Sequence, residues 1–424
     1  MSHRSRHRQH GVAALFVTVM LCFAMVLAVA VAHRNVVVEE QRSANELRAA
    51  SAFEAAEAGL EWALARINDP SRVGADCLPS GDAAALSFRE RMVRIDVASG
   101  DLAVRTWLDA GTPVPLQAAC MRGADGWTCR CPMNGPAALP APVGSAVAPA
   151  FVVELAAATR PGIVRVVATG CTRNGAGSTC AASVDASGEA TARLEAAWAM
   201  LPALRSLPTA ALTVQGDVDV GAAWLGVHNV DGASGALAVH AGGRIGATAL
   251  RIGAPPGAPA GASLASDDDV LRALSGDRFF ARVFGMGTAA WTAQPAARRV
   301  GCAIDCARAL VAAIDAGQRL LVIEGDATIA GPLTIGHADD PIVIVATGAL
   351  RLSDDIALHG VVHAASLEWN DTTPGRAFVR GAVIAGAYGG NASVDLHRDA
   401  AVLARPAAGN GSLVRINGSW KDFQ

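Results

Sequence analysis

GVAALFVTVMLCFAMVLAVAVA, residues 11–32, is an apolar run without one charged residue. At about 1.5 Å per helical residue it reaches roughly 33 Å, enough to cross a hydrocarbon core of about 30 Å. The preceding leader, MSHRSRHRQH, carries Arg4, Arg6 and Arg8. By the positive-inside rule the N-terminus is then cytoplasmic and the body lies across the membrane. A secretory signal peptide is the competing reading, since Ala28 to Ala32 mimics a small-residue cleavage site. A signal's apolar core is shorter, however, at roughly 7–15 residues, and here a helical pattern continues past the site.

That continuation is HRNVVVEEQRSANELRAASAFEAAEAGLEWALARIND, residues 33–69. Leu47, Ala50, Phe53, Ala56, Leu60, Leu64 and Ile67 recur at three- and four-residue spacing between acidic faces, the signature of an amphipathic helix. Asn68-Asp69-Pro70 stops it. The many alanines and the lack of a clean heptad favour close packing among several helices over a two-stranded zipper. Phe16, Leu47, Phe53, Leu60 and Leu64 are the residues expected to make those bundle contacts.

Composition narrows the rest. The chain has 424 residues, of which 52% are hydrophobic and 44 are glycine, so it folds rather than staying disordered. A formal charge of −3 is weak for a binder of polyanions. All but one of the 35 basic residues are arginine, Lys421 being the exception, which reads as base-composition bias and not as a nucleic-acid patch. Of nine cysteines, Cys22 lies in the apolar run. Cys77, Cys120, Cys129, Cys131, Cys171, Cys180, Cys302 and Cys306 lie beyond it, an even set consistent with disulfides on the oxidising side.

Five segments follow: a leader (1–11), a transmembrane half-helix (12–32), a stalk helix (33–69), an α+β head (70–205) and a β-rich domain (206–424). In the head, FVVELAAATRPGIVRVVATGC reads as a hairpin turning at Arg160-Pro161-Gly162. The glycine-rich loop from Cys171 to Cys180 is short enough for its ends to be bridged. Cys129 and Cys131 flank one residue and each is expected to reach outward, to Cys77 and Cys120, with the connectivity open. From Leu207 onward short β-like runs such as LLVIEGDATIAG and PIVIVATGALRL alternate with glycine and aspartate turns. This texture predicts a solenoid, most simply a right-handed parallel β-helix, with a β-sandwich as the alternative. Between about 263 and 317 a helical insertion interrupts it, capped by Ser266 or Asp267. Cys302 and Cys306, four apart, are close enough to bridge if the first helical turn is distorted. The fold class is therefore α+β and β-rich.

HGVAALFVTVMLCF followed by SAFEAAEAGLEWALARI resembles the N-terminal region of PilX-type minor pilins: a basic leader, a Gly-led apolar helix, an acidic stretch and an AFxAAExxL-like signature. The closing GSWKDF, residues 418–423, is similar to the C-terminal end of longer pilus-assembly proteins of this kind. The resemblance covers residues 8 to about 67; beyond that the chain matches only in texture. It implies a pilin-like head, cleavage by prepilin peptidase after Gly11 and methylation of Val12. It also implies an inner-membrane anchor, a periplasmic body and, as partners, other minor pilins and a tip adhesin. Two departures stand out: Val12 replaces the usual phenylalanine or methionine, and Phe16 stands where major pilins carry glutamate. That glutamate would neutralise a neighbour's terminal amine inside an apolar bundle, where an unpaired charge costs several kcal/mol. A subunit with Phe16 is expected where no amine needs neutralising, such as a filament tip. A minor pseudopilin of a type II secretion system is the related alternative.

The opposing class is a membrane-anchored β-helix enzyme or binder acting on polysaccharide. Its candidate carboxylates are Asp267-Asp268-Asp269, Asp339-Asp340 and Asp354-Asp355. The first sits at a helix start, where acids favour the dipole, and the pairs sit in turns. His359 and His363 would be roughly 13 Å apart on a strand, too far to share one metal. GAYGGNAS lacks the Gly-Lys-Ser/Thr end of a phosphate cradle, and no G-x-S-x-G elbow is present. The eight tryptophans could stack on sugars but suit core packing. The expectation is a non-enzymatic protein with no catalytic residue, metal, cofactor or nucleic-acid partner.

Overall fold

The computed structural model describes residues 10–82, 84–96, 99–139, 148–173, 180, 190–302, 305–370 and 377–423. Residues 1–9 of the expected leader lie outside the described residues. One helix runs unbroken over His10–Asn68, 59 residues, about 89 Å at the standard rise. It is long and apolar enough to cross a membrane, and Leu15, Phe16, Phe23 and Val29 are exposed along its first half.

The last part of this helix, from Ala52 onward, is built into the head. Ala52, Ala56, Leu60, Ala63 and Ile67 are buried against an antiparallel sheet of seven strands. Its order is Gly411–Arg415, Thr191–Pro202, Ile163–Arg173, Ala148–Ala157, Gln117–Gly123, Gly126–Arg130, with Lys421–Phe423 also on Thr191–Pro202. The alanines let helix backbone approach strand backbone: a Cβ added to Gly170 would lie 2.0 Å from the Ala52 carbonyl oxygen. Alanine spacing read as helix-to-helix packing is, over residues 52–67, helix-to-sheet packing. Phe151, Leu155, Val166, Leu194 and Trp198 complete the core.

Four disulfides brace the chain. Cys77 pairs with Cys131 and Cys120 with Cys129, which answers the connectivity left open by the sequence. Cys120 and Cys129 are direct cross-strand partners with Cα atoms 4.1 Å apart, the closeness of a non-hydrogen-bonded antiparallel pair. Cys171 bridges Cys180, and Cys302 bridges Cys306. Cys306 is the N-cap of helix Ala307–Asp315, so that bridge sits ahead of the helix and distorts no turn.

The β-rich half is a curled, half-barrel-like parallel array of sixteen strands. Every pairing in it among the described residues is parallel, unlike the antiparallel sandwich held as the alternative. One ladder runs through Ala297–Val300, Leu320–Ile323, Ile342–Ala346, the ends of Ile356–Ala364 and Phe378–Ala385, then Leu212–Val214, Val239–Ala241 and Leu264–Ala265. The strands laid down first thus lie beside those laid down nearly last. Between them, helices Asp269–Arg272, Gly276–Phe284 and Thr288–Thr292 carry the chain back across the outside of this ladder. Leu320, Val322, Val343 and Val345 pack outward under Phe280, Phe284 and Trp291, while Leu321, Ile323, Ile344 and Ala346 point into the array's core. Burial on both faces is why these strands read as continuous apolar runs. The N-cap of the first helix is Asp268, one residue past the expected position.

Strands Ile356–Ala364 and Phe378–Ala385 bend at Gly360 (φ +140°) and Gly381 (φ +139°), which are register partners. A Cβ at Gly381 would meet the Gly360 carbonyl oxygen at 1.8 Å, so two stacked glycines make the corner.

Expectation placed 206–424 in one unit. Residues after helix Ala400–Ala408 instead return to the head, where Gly411–Arg415 and Lys421–Phe423 pair with Thr191–Pro202. An uncovered strand edge presents unpaired N–H and C=O groups, and the chain's own end fills them. Asn68 locks this return: its Nδ2 donates to the Leu64 and Leu413 carbonyls (2.9 and 2.8 Å), and its Oδ1 accepts from Leu413 N (2.8 Å). Arg89 donates to the Ile67 carbonyl and to Asn68 Oδ1, a cation where a helix C-terminus favours one. Burial pushes the Arg89 pKa down to about 10, so it stays charged at neutral pH.

Candidate functional site

Two surfaces stand out among the described residues. The first is the long helix ahead of Ala52. Phe16 and Leu47 are 62% and 69% exposed, free to meet lipid or other helices. Phe53, Leu60 and Leu64 are not: Leu60 is in the head core, Phe53 and Leu64 pack against it, and Phe53 also meets Trp420 edge-on at 6.1 Å. These three of the five residues expected to pack between subunits are occupied within the chain, because the head's sheet covers that stripe. Gly11 and Val12 belong to the helix.

Within the carboxylate runs, Asp268 and Asp340 have structural partners. Asp268 accepts from Val270 N and Leu271 N and is 2.7 Å from His240 Nε2; the bond to His240, then that to Leu271, lowers its pKa. Asp340 pairs with Arg319 at 2.5 Å, and Asp339 with Arg405 at 3.4 Å. Asp354 adopts φ +62° before the strand Ile356–Ala364.

His359 and His363 lie on either side of the Gly360 corner. His363 is 7% exposed and stands edge-on to Phe280 (4.8 Å) and Phe284 (5.8 Å). Burial pushes its pKa down to about 4, so the folded chain keeps it neutral. Its contribution is complete above the unfolded value near 6.5 and is lost as pH falls from there to about 4, because only the unfolded chain takes up the proton. The difference corresponds to about 3 kcal/mol. A His363→Leu variant is expected to lose about 3 kcal/mol less than wild type on acidification across that window, read by urea unfolding of detergent-solubilised protein. Parallel profiles would refute this assignment.

The second surface was missed by sequence reasoning. On Val218–His228 and Val394–Arg398, Leu225, Val227, Val394 and Leu396 point inward to the core. Alternation sends Gly226, His228, Asp395 and His397 outward. Register sets Gly226 beside Asp395 and His228 beside His397, with Arg380 beside His397 and His359 beside Arg380. His228 Nε2 lies 2.9 Å from Asp395 Oδ1, and the His228 and His397 rings stack at 4.3 Å, 10° from parallel. One ligand atom from each of the three lies within 4.8 Å of the others. Burial, then the neighbouring His228, lowers the His397 pKa; burial, then Arg380, lowers that of His359. On the adjoining strand Arg251 sits 4.0 Å over the Trp224 ring. The D-x-H spacing in VDLHR signals two ligands on one strand face, but His228 is 167 residues away.

No protein-family model, curated protein or solved structure matches the chain.

Proposed function

We propose that this chain is a non-enzymatic minor pilin-like component of a type IV pilus, primed for the filament tip. The observation that carries the reading is one continuous helix, His10–Asn68, whose first half is apolar and exposed while its last part, from Ala52 onward, is the spine of a disulfide-braced head. A cleavable basic leader ahead of such a helix suits prepilin peptidase, with cleavage after Gly11 and a methyl group on Val12. In this reading the N-terminus starts in the cytoplasm, the helix crosses the bacterial inner membrane, and the body occupies the periplasm until assembly. Four disulfides fit that oxidising compartment.

The exposed stretch from Phe16 to Leu47 then packs with the helices of other minor pilins. Phe16, unable to neutralise a neighbour's amine, favours a position at the leading end. The curled parallel array serves as a right-handed β-helix platform that presents its outer face to a tip adhesin or to a surface.

The N-terminal mass of membrane-extracted protein, made with and without a prepilin peptidase, tests this directly. Loss of residues 1–11 and a methylated Val12 are expected only with the peptidase. An intact leader, or cleavage near Ala32, would sink the proposal. Immunogold labelling should then mark filament ends; labelling along the shaft would remove the tip assignment.

A further inference from the structure

We infer that His228, Asp395 and His397 hold one divalent transition-metal ion on the outer face of the parallel array. The inference rests on the geometry of that face and is independent of the filament reading.

Metal–ligand bonds to imidazole nitrogen and carboxylate oxygen of about 2.0–2.2 Å place neighbouring ligand atoms roughly 3–4 Å apart. His228 Nε2 and Asp395 Oδ1 already stand at 2.9 Å, and the full set lies within 4.8 Å, so the site closes when the imidazoles turn out of their stacked arrangement to converge on the ion. Two imidazoles and one carboxylate select zinc, cobalt, nickel or copper over calcium or magnesium, which prefer all-oxygen shells. The ligands stand on two strands in fixed parallel register, and a rigid backbone of this kind lowers the cost of assembling a site.

The neighbouring backbone is cleared for these side chains. A Cβ at Gly226 would lie 1.9 Å from Asp395 Oδ1 and 2.9 Å from His228 Nε2; one at Gly253 would lie 2.4 Å from His228 Nδ1. The carboxylate and the imidazole therefore rest over bare main chain. The side chains of His228 and Asp395 are 26% and 38% exposed, open enough for an ion to enter and keep water in its remaining positions. Register alone stacks His397 on His228, and the hydrogen bond adds Asp395, so the fold delivers all three donors to one spot on the outer face.

An ion here would join strands that meet only after the chain has doubled back along the array, pinning Val218–His228 to Val394–Arg398. It would thereby act as a staple across the seam between the first-laid and last-laid strands.

The test uses the full chain in detergent, stripped with chelator and dialysed against ZnCl2 or CoCl2. One equivalent of bound metal is expected, with the visible bands of nitrogen-and-oxygen-coordinated Co2+. Asp395→Asn and His397→Gln should each weaken binding by about 100-fold or more, the upper end of what loss of a merely supporting group costs. Retention of binding in both variants would assign the metal elsewhere, to His3, His7 and His10 for example, and overturn the inference. A thermal melt of the wild type covers the case of a misfolded variant. Zn2+ bound only by the folded chain raises Tm, whereas no rise at saturating Zn2+ overturns the inference.

Discussion

Gly170→Val is expected to unseat the long helix from the head sheet. A Cβ at this position would lie 2.0 Å from the Ala52 carbonyl oxygen and 2.5 Å from the Ala56 nitrogen. Both obstacles are helix main chain, so no side-chain rotation relieves them. Overpacking in a filled core costs about 1–3 kcal/mol and occasionally more; with a rigid helix on one side and a central strand on the other, the loss should exceed about 3 kcal/mol. Gly59→Ala is the matched control on the opposite partner. There the atoms nearest the added methyl belong to the side chains of Phe151 and Val153, at 3.0–3.2 Å, and alanine regains about 1 kcal/mol of helix propensity. Denaturant unfolding of the two variants in one detergent should separate them widely. Equal stabilities would refute the close helix-to-sheet contact.

Asn68→Ala is expected to free the C-terminal strand. Asn68 is 3% exposed and its amide serves both the N–H and the carbonyl of Leu413 (2.8 Å each). Removing it leaves two main-chain groups without those partners where water has little access, at about 1–3 kcal/mol for each. The same change takes an acceptor from Arg89. Limited proteolysis should release the segment after Asn410 faster than from wild type, together with a loss of about 2–6 kcal/mol in unfolding free energy. Unchanged protease resistance would show that pairing with Thr191–Pro202 suffices without the asparagine.

These two residues illustrate different degrees of legibility. The helix that both serve could be read directly, because its apolar positions repeat with a local period and its stop, Asn68-Asp69-Pro70, is adjacent. What the stripe packs against could not. Phe53, Leu60 and Leu64 carry the same amphipathic signature whether the partner is another subunit or the chain's own sheet, and the sheet is the partner found. Likewise Asn68 reads as a helix stop, yet its partner Leu413 is 345 residues away.

The sequence by itself determined the long apolar helix, the α+β class, the β texture after Leu207 and a set of cysteines suited to bridging. Each of these depends on side chains within one segment or on composition. Tertiary structure alone decided the parallel order of the strands, the doubling back that seats Leu212–Val214 beside the end of Phe378–Ala385, the return of the last strands to the head, and the meeting of His228 with Asp395 and His397. The physical reason is that an alternating strand specifies which face each side chain takes but not which strand lies next to it. That choice is made by burying both faces of the array and filling the open edge of the head, through contacts between segments that carry no local mark of one another.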